Sequence, residues 1–327
     1  MKSIASLSLD LDNKWAYMKT HGDSGWESFP SYLNVVVPRI LSFLKERGLT
    51  ITFFVVGQDA ALGKNKEALG QIAAAGHEIG NHSFHHDPWL HLYSTSQIEN
   101  ELASAEEHIE WATGRRPVGF RGPGFSLSQT TLEVLARRSY LYDASTFPTF
   151  IGPLARAYYF MTANLSREEM RQRKNLYGSL RNGWQSIKPY RWQTKAGTLI
   201  EIPVTTLPII KTPIHLSYIL YLANLSSTVA LRYFQTALKA CQLTSTQPSL
   251  LLHPLDFLGC DDTSELSFFP GMNLPSEKKL AIVSEVLSLL SNQFTVVTVR
   301  HHANEVAKVL RLPLIESNLQ QLDRRVR

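Results

Sequence analysis

The stretch Gly76-His77-Glu78-Ile79-Gly80-Asn81-His82-Ser83-Phe84-His85-His86-Asp87-Pro88 places four of the chain's 11 histidines within ten residues. His82 and His86 are four apart, so on a helical turn, or a loop approximating one, they share a side. That spacing suits two imidazoles on one metal ion. A zincin His-Glu-x-x-His motif starting at His77 fails, because its fifth residue is Asn81 and Gly80 falls where a helix is required. The stretch reads instead as a short buried strand, His77 to Gly80, opening into a loop that carries His82 and His86. Taken alone, it is also compatible with ordinary surface or core histidines.

A second pair of candidates lies near the start. In Ile4-Ala5-Ser6-Leu7-Ser8-Leu9-Asp10-Leu11-Asp12, apolar and polar residues alternate with the period of a strand. Asp10 and Asp12 then point the same way, with α-carbons roughly 7 Å apart. Two carboxylates on one face repel unless a cation sits nearby, although a solvated strand end would accept them too.

The elements that must position these groups follow from pattern. A helix is expected over 31–47, stopped at Gly48, then a strand from Thr50 to Val56 and a helix over 64–75. Ser94-Thr95-Ser96-Gln97 has the form of a capping box and starts a helix to Ala112. Val118 to Arg121 reads as a strand that opens into the loop Gly122-Pro123-Gly124-Phe125. A helix over 128–138 leads to a strand from Tyr140 to Ala144. Residues 199–204 and 248–252 read as strands, Ser276 to Leu290 as a helix, and Phe294 to Val299 as the last strand. Strands alternating with helices imply βαβ units and a mostly parallel sheet. The expected fold class is therefore α/β: a distorted (β/α) barrel of about seven parallel strands with helical insertions. It forms one domain over residues 1–327. Residues 151–198 break the rhythm with aromatic and basic residues, with a helix from Ser166 to Leu180, and read as an insertion over one end of the barrel. A second insertion is expected over 207–243.

Composition bounds the classes. With 327 residues, 44% hydrophobic and 19% charged, the chain can bury a large core. The formal charge of +5 is modest, and no Lys/Arg run is dense enough to argue for a nucleic-acid partner. The tail Arg324-Arg325-Val326-Arg327 reads as a solvated end. Cys241 and Cys260 make neither a disulfide framework nor a zinc ribbon. The N-terminal residues lack a signal-peptide pattern, and no apolar run reaches the ~18 residues of a membrane span, so a cytoplasmic location is expected. The sequence sets no oligomeric state.

Barrel enzymes carry their chemistry at the C-terminal ends of the strands. The residues expected there are Asp10 and Asp12 after the first strand, His82 and His86 after the third, Arg121 after the fourth, Asp143 at the fifth, and His253 after the seventh. Together they supply an acid, a base, a carboxylate–imidazole metal set and a cation. One carboxylate with two imidazoles leaves an open coordination position on zinc, the pattern of a catalytic rather than a structural site.

In these residues the chain resembles the NodB-type polysaccharide deacetylases, carbohydrate esterase family 4, over roughly 4–145 and 245–300. The family's paired aspartates stand as Asp10-Leu11-Asp12, with a residue between them. Its His-Ser/Thr-x-x-His motif is complete at His82-Ser83-Phe84-His85-His86. Its Arg-x-Pro-aromatic motif stands as Arg121-Gly122-Pro123-Gly124-Phe125, with the aromatic one place late. Asp143 is the loosest match, to the family's fourth motif, and Leu250-Leu251-Leu252-His253-Pro254 matches the fifth.

The resemblance implies a metal-dependent amidase that removes an N-acyl group, acetyl or formyl, from an amino sugar in a glycan or a lipid-linked glycan precursor. Asp12, His82 and His86 would hold the metal, most simply zinc, although the set also suits cobalt or manganese. Asp10 would take the proton of the attacking water, Arg121 would orient Asp10, and His253 would protonate the leaving amine. Asp143 would hold that imidazole in place, and the Gly124 N–H would face the oxyanion. His77 and His85 are expected to be structural. The rivals are a hydrolase of ring amides such as allantoin, whose relatives are expected to lose part of the metal set, and an inactive glycan-binding member, which needs a missing ligand or acid. A serine hydrolase is set aside for lack of a Gly-x-Ser-x-Gly elbow. Ala157 to Met161 and the apolar run Ile214 to Leu225, with Tyr218 and Tyr221, have the character of interfacial segments. Lys188, Arg191, Lys195 and Lys211 lie near them in sequence. The corresponding expectation is a protein peripheral to the inner face of the membrane, with the insertions forming a lipid-side lip over the metal.

Overall fold

The computed structural model describes residues 2–173, 180–309 and 311–317. The basic tail and part of the helix expected over 166–180 lie outside the described residues. The strands are β1 (Ile4–Asp10), β2 (Thr52–Val55), β3 (Glu78–Asn81), β4 (Gly119–Phe120), β5 (Tyr142–Asp143), β6 (Tyr190–Thr194), β7 (Gly197–Glu201), β8 (Ser249–Leu252), β9 (Thr295–Val297) and β10 (Leu314–Glu316). Seven of them run parallel in the order β8-β1-β2-β3-β4-β5-β7, and β9 also pairs with β1. Thr52-Phe53-Phe54-Val55 and Ser249-Leu250-Leu251-Leu252 are buried at every position, as strands covered on both faces must be.

The curl is closed without a further strand. Beyond β7 the chain keeps its direction, and the Thr205 N–H donates to Ser249 O at 3.0 Å while the Ser249 N–H donates to Thr205 Oγ1 at 2.8 Å. These two bonds join the two ends of the parallel run into a barrel.

Around it, the helix Leu33–Glu46 buries Leu33, Val36, Val37, Ile40 and Leu44 on one stripe, the spacing of an amphipathic helix facing a core. They meet Leu7, Leu9, Phe53, Val55, Leu250 and Leu252 in the largest apolar cluster, each side chain contributing roughly 1.5–3 kcal/mol by its burial.

The structure departs from expectation in three places. Residues 190–194, inside the first expected insertion, form β6, antiparallel to β7; Tyr190, Trp192 and Thr194 point inward in alternation. The second expected insertion, 207–243, is the crossover from β7 to β8. Its helices Leu216–Ala223 and Ser227–Leu243 bury Ile214, Leu216, Ile219, Leu220 and Phe234 in the main core. The run from Ile214 to Leu225 is apolar because it is core, which withdraws most of the surface on which the lipid-side lip depended; Tyr221 and Leu225 alone among its large apolar residues are exposed. A helix Lys14–His21, capped by Asn13, follows Asp12 directly. Residues 152–172 are tied to that helix by the Asn164 N–H to His21 O at 2.8 Å and the Tyr159 hydroxyl to Thr20 O at 2.7 Å. No helix among the described residues is long and apolar enough to cross a membrane.

Candidate active site

Asp10 is the last residue of β1, and Asp12 lies two further on. Leu9 and Leu11 point the other way into the core, so the two carboxylates share a face and are nearly enclosed, at 5% and 8% exposure. β3 ends at Asn81, and the next five residues turn tightly, with Ser83 and His86 in the left-handed region at φ 61° and 53°. Asn81 Oδ1 accepts from the Ser83 N–H at 2.8 Å, and Ser83 Oγ accepts from the His86 N–H at 3.2 Å. Glu101, from the helix Thr95–Thr113, accepts from the N–H groups of Phe84 and His85 at 3.0 Å each and also holds the His85 ring. His85 therefore pins the loop, while His82 and His86 point toward Asp12.

One oxygen of that aspartate, Asp12 Oδ1, lies 3.0 Å from His86 Nε2 and 3.3 Å from His82 Nε2. One ligand atom from each of the three residues falls within 4.8 Å of the others. The other nitrogen of His82, Nδ1, is 2.6 Å from the Arg121 carbonyl oxygen. A carbonyl only accepts, so Nδ1 carries the proton and neutral His82 presents the Nε2 lone pair to a carboxylate oxygen. Two lone pairs facing at that distance repel unless a cation lies between them. Asp12 Oδ1 and both ring nitrogens of His86 are buried without a hydrogen-bond partner. Tetrahedral donors about 2.0–2.1 Å from zinc lie about 3.4 Å apart, close to the separations here. The three residues thus fit a divalent ion. Burial alone would raise the Asp12 carboxyl, but His86 and His82 hold it well below the usual carboxylate range. Burial likewise opposes a charge on His82, and Asp10 and Asp12 outweigh it and raise its pKa.

Beside this cluster, Asp10 Oδ1 accepts from Arg121 Nη1 at 2.7 Å, and its Oδ2 is 4.0 Å from His82 Nε2. Arg121 has no solvent exposure. It also donates to Ser8 Oγ at 2.8 Å and to Ala144 O at 2.9 Å, and its guanidinium lies over the Phe54 ring.

His253 follows β8. Its Nδ1 is 3.0 Å from Ser217 Oγ, which donates to Asp256 Oδ1 at 2.8 Å. Asp143 does not take the part expected of it. It accepts from the Ser145 hydroxyl at 2.6 Å and pairs with Glu201, which stands opposite it in the β5–β7 register. Burial and the neighbouring Asp143 push Glu201 well above the usual range, so it is a protonated donor to Asp143. The register places Asp143 toward β7 and leaves His253 to Ser217 and Asp256. Sequence reasoning missed Ser217, Asp256, Glu201 and Tyr17. Asp256 carried a signal, a carboxylate three residues after the histidine. The Tyr17 hydroxyl is buried without a partner; burial, then Asp12, Tyr32, Asp256 and Asp10, push its pKa well up, so it stays a neutral donor near both halves of the site. Gly124 adopts φ 57° in the loop after β4.

A parallel barrel whose rim joins a carboxylate–imidazole metal set to an arginine-bound carboxylate and an imidazole is the arrangement used by metal-assisted hydrolases. Residues 22–142 match the polysaccharide deacetylase family. Among curated proteins, the chain is 32% identical over 149 residues to a peptidoglycan deacetylase of Helicobacter pylori, covering 43% of this chain and 49% of the relative. It is 34% identical over 110 residues to the peptidoglycan-N-acetylmuramic acid deacetylase PdaA of Bacillus subtilis, covering 33% and 41%. The chain thus spans about half the length, or less, of these relatives. Among solved structures, a chain from Mycobacterium smegmatis whose name places it with the polysaccharide deacetylases superposes at a TM-score of 0.62, with 19% identity over 96% of this chain and 95% of that one. The likeness establishes the fold over nearly the full length. The family match leaves Asp10, Asp12, Asp143 and His253 outside its bounds, so their placement rests on the geometry above.

Proposed function

We propose that this protein is a metal-dependent hydrolase that removes an N-acyl group from an amino-sugar residue of a glycan. The observation that carries the reading is the unpartnered Asp12–His82–His86 cluster beside the Asp10–Arg121 pair. A divalent ion held by Asp12, His82 and His86 would supply Lewis acidity and an acidified water. Asp10, oriented by Arg121, accepts a proton from the attacking water. The C–N bond breaks, the acyl group leaves as a carboxylate, and His253 delivers a proton to the departing nitrogen. Two curated relatives named as peptidoglycan deacetylases support a glycan amide as the substrate class.

A lipid-carried glycan, met at the inner face of a membrane, is the narrower form of this proposal. Its support now comes from the exposed Trp184, Ile209 and Ile210 rather than from Tyr218.

The test is acyl release by the purified, metal-analysed protein from N-acetyl and N-formyl amino sugars and their oligomers, with allantoin as the contrasting amide. Release from the sugars supports the reading; release from allantoin alone replaces it; no release from a metal-loaded protein overturns it. Co-sedimentation with anionic vesicles, with and without Ile209→Ser/Ile210→Ser, tests the membrane form, and a protein that stays in the supernatant at low salt rejects it.

A further inference from the structure

We infer that Ser217 and Asp256 form a two-residue relay that fixes the tautomer and the ring orientation of His253. The inference rests on the proposed reaction, in which His253 is the proton donor. It begins with a count of protons. Asp256 accepts at both oxygens, from the Ser217 hydroxyl at Oδ1 and from the His253 main-chain N–H at Oδ2, 2.7 Å away. Burial raises the Asp256 carboxyl above its usual range, and His253, the two donors and Lys279 oppose that rise; with both oxygens accepting and a lysine beside it, Asp256 is assigned as the ionised form. Ser217 has one proton, and it is committed to Asp256, so toward His253 its oxygen can only accept. His253 Nδ1 must therefore be the protonated nitrogen, and Nε2 is the position that gains and gives a proton at the site.

The surroundings keep this order from being scrambled. Ser217 is 5% and Asp256 1% exposed, so water does not compete for their bonds. Lys279, also 1% exposed, donates to Leu255 O at 2.6 Å and to Leu258 O at 2.8 Å, which clamps the turn carrying Asp256 and sets a positive charge beside it. His215 also lies against His253, its ring centre 6.3 Å away. His215 caps the helix that carries Ser217, its Nδ1 accepting from the Tyr218 N–H at 3.4 Å. Burial, and then His253, pull it down to about 3, so it stays neutral and does not compete as an acid. The connectivity also excludes Ser217 as a nucleophile. In a nucleophilic triad the carboxylate bonds the imidazole and the imidazole takes the serine proton; here the carboxylate holds the serine proton itself.

With the relay in place the neutral ring keeps its proton on Nδ1 and turns Nε2 to the site; without it nothing holds that tautomer or ring orientation, and kcat should fall while KM changes little.

The experiment uses the zinc-loaded full chain with ¹⁵N-labelled histidine. NMR reads the tautomer of His253 directly, and acyl release gives kcat and KM. The parent is expected to carry its proton on Nδ1. Ser217→Ala and Asp256→Asn should each let the neutral ring take up the Nε2-protonated form and lower kcat by about 10–100-fold with KM little changed, the usual worth of a partner that orients an imidazole; Ser217→Thr, which keeps the hydroxyl, should restore both. A parent whose neutral His253 is protonated on Nε2 overturns the relay, whether or not the variants fold. So do folded variants in which neither the tautomer nor kcat moves. If the parent releases no acyl group, the proposed function fails, and the tautomer then decides the relay by itself.

Discussion

Arg121→Met should unfold this protein far more easily, and adding Asp10→Asn should return part of the loss. Arg121 has no exposure and donates to Asp10, Ser8 and Ala144 at 2.7, 2.8 and 2.9 Å. Its removal strands the Asp10 carboxylate at 5% exposure, and uncompensating one member of a buried pair costs about 3–5 kcal/mol. Losing the bonds to Ser8 and Ala144 adds about 1 kcal/mol each. The single variant should therefore lose about 5–7 kcal/mol. Asp10→Asn in that background removes the stranded charge and should recover about 2–3 kcal/mol, whereas Asp10→Asn in the wild type should destabilise. The assay is equilibrium urea unfolding at pH 7 in EDTA, so that no metal selectively supports the folded form. A loss below about 1 kcal/mol for Arg121→Met, or a double variant no more stable than the single one, would refute the argument that the pair is a buried, mutually dependent charge couple.

Three further outcomes are expected. His82→Ala should lose bound metal by elemental analysis while its circular dichroism stays native; full occupancy in that variant removes His82 from the ligand set. Asp10→Asn should keep its metal but lose turnover by roughly 10²–10⁴-fold, the usual worth of a positioned base, and retention of a tenth of the parent kcat speaks against that role. The third concerns Asp59, whose Oδ1 takes donors from Asn13, Trp15 and Asn65 while Oδ2 is buried without a partner. Burial raises it to about 7, so between pH 4 and 7 the folded state binds a proton that the unfolded chain has released, and stability falls as pH rises through that window. Asp59→Asn keeps the accepting oxygen and should flatten this decline in urea titrations from pH 5 to 8; an unchanged slope assigns it to other groups.

The candidate metal donors and the proposed base were legible as a cluster because their signals are local. A strand's two-residue period puts Asp10 and Asp12 on one face whatever surrounds it, and two histidines four apart after a glycine-bounded strand make a loop with one ligating side. Tyr190, Trp192 and Thr194 also alternate, but the aromatic and basic composition around them masked the period, and β6 went unread. Ile214 to Leu225 failed for another reason: hydropathy records that a segment leaves water, not whether it enters a core or a bilayer. Ser217 and His253 are far apart in sequence and meet only because the crossover helix docks beside β8, so no local pattern could pair them. Asp143 was read from its place at the fifth strand and from a loose motif match, and the β5–β7 register gave its carboxyl to Glu201 instead.

Position 121 serves the rim from both of its ends. Its main-chain oxygen orients His82, and its guanidinium holds Asp10. The strand presenting it is two residues long, and a side chain at Gly119 would begin 1.9 Å from Tyr142 Cζ, so its seat against β5 admits glycine and little else. Metal donor and base thus share one mechanical reference: a shift of β4 carries both together and preserves their spacing. Anyone grafting this chemistry onto another barrel would have to transplant residue 121 as a backbone position and a side chain at once, with the glycine two places before it, because copying the arginine alone would leave the imidazole unaimed.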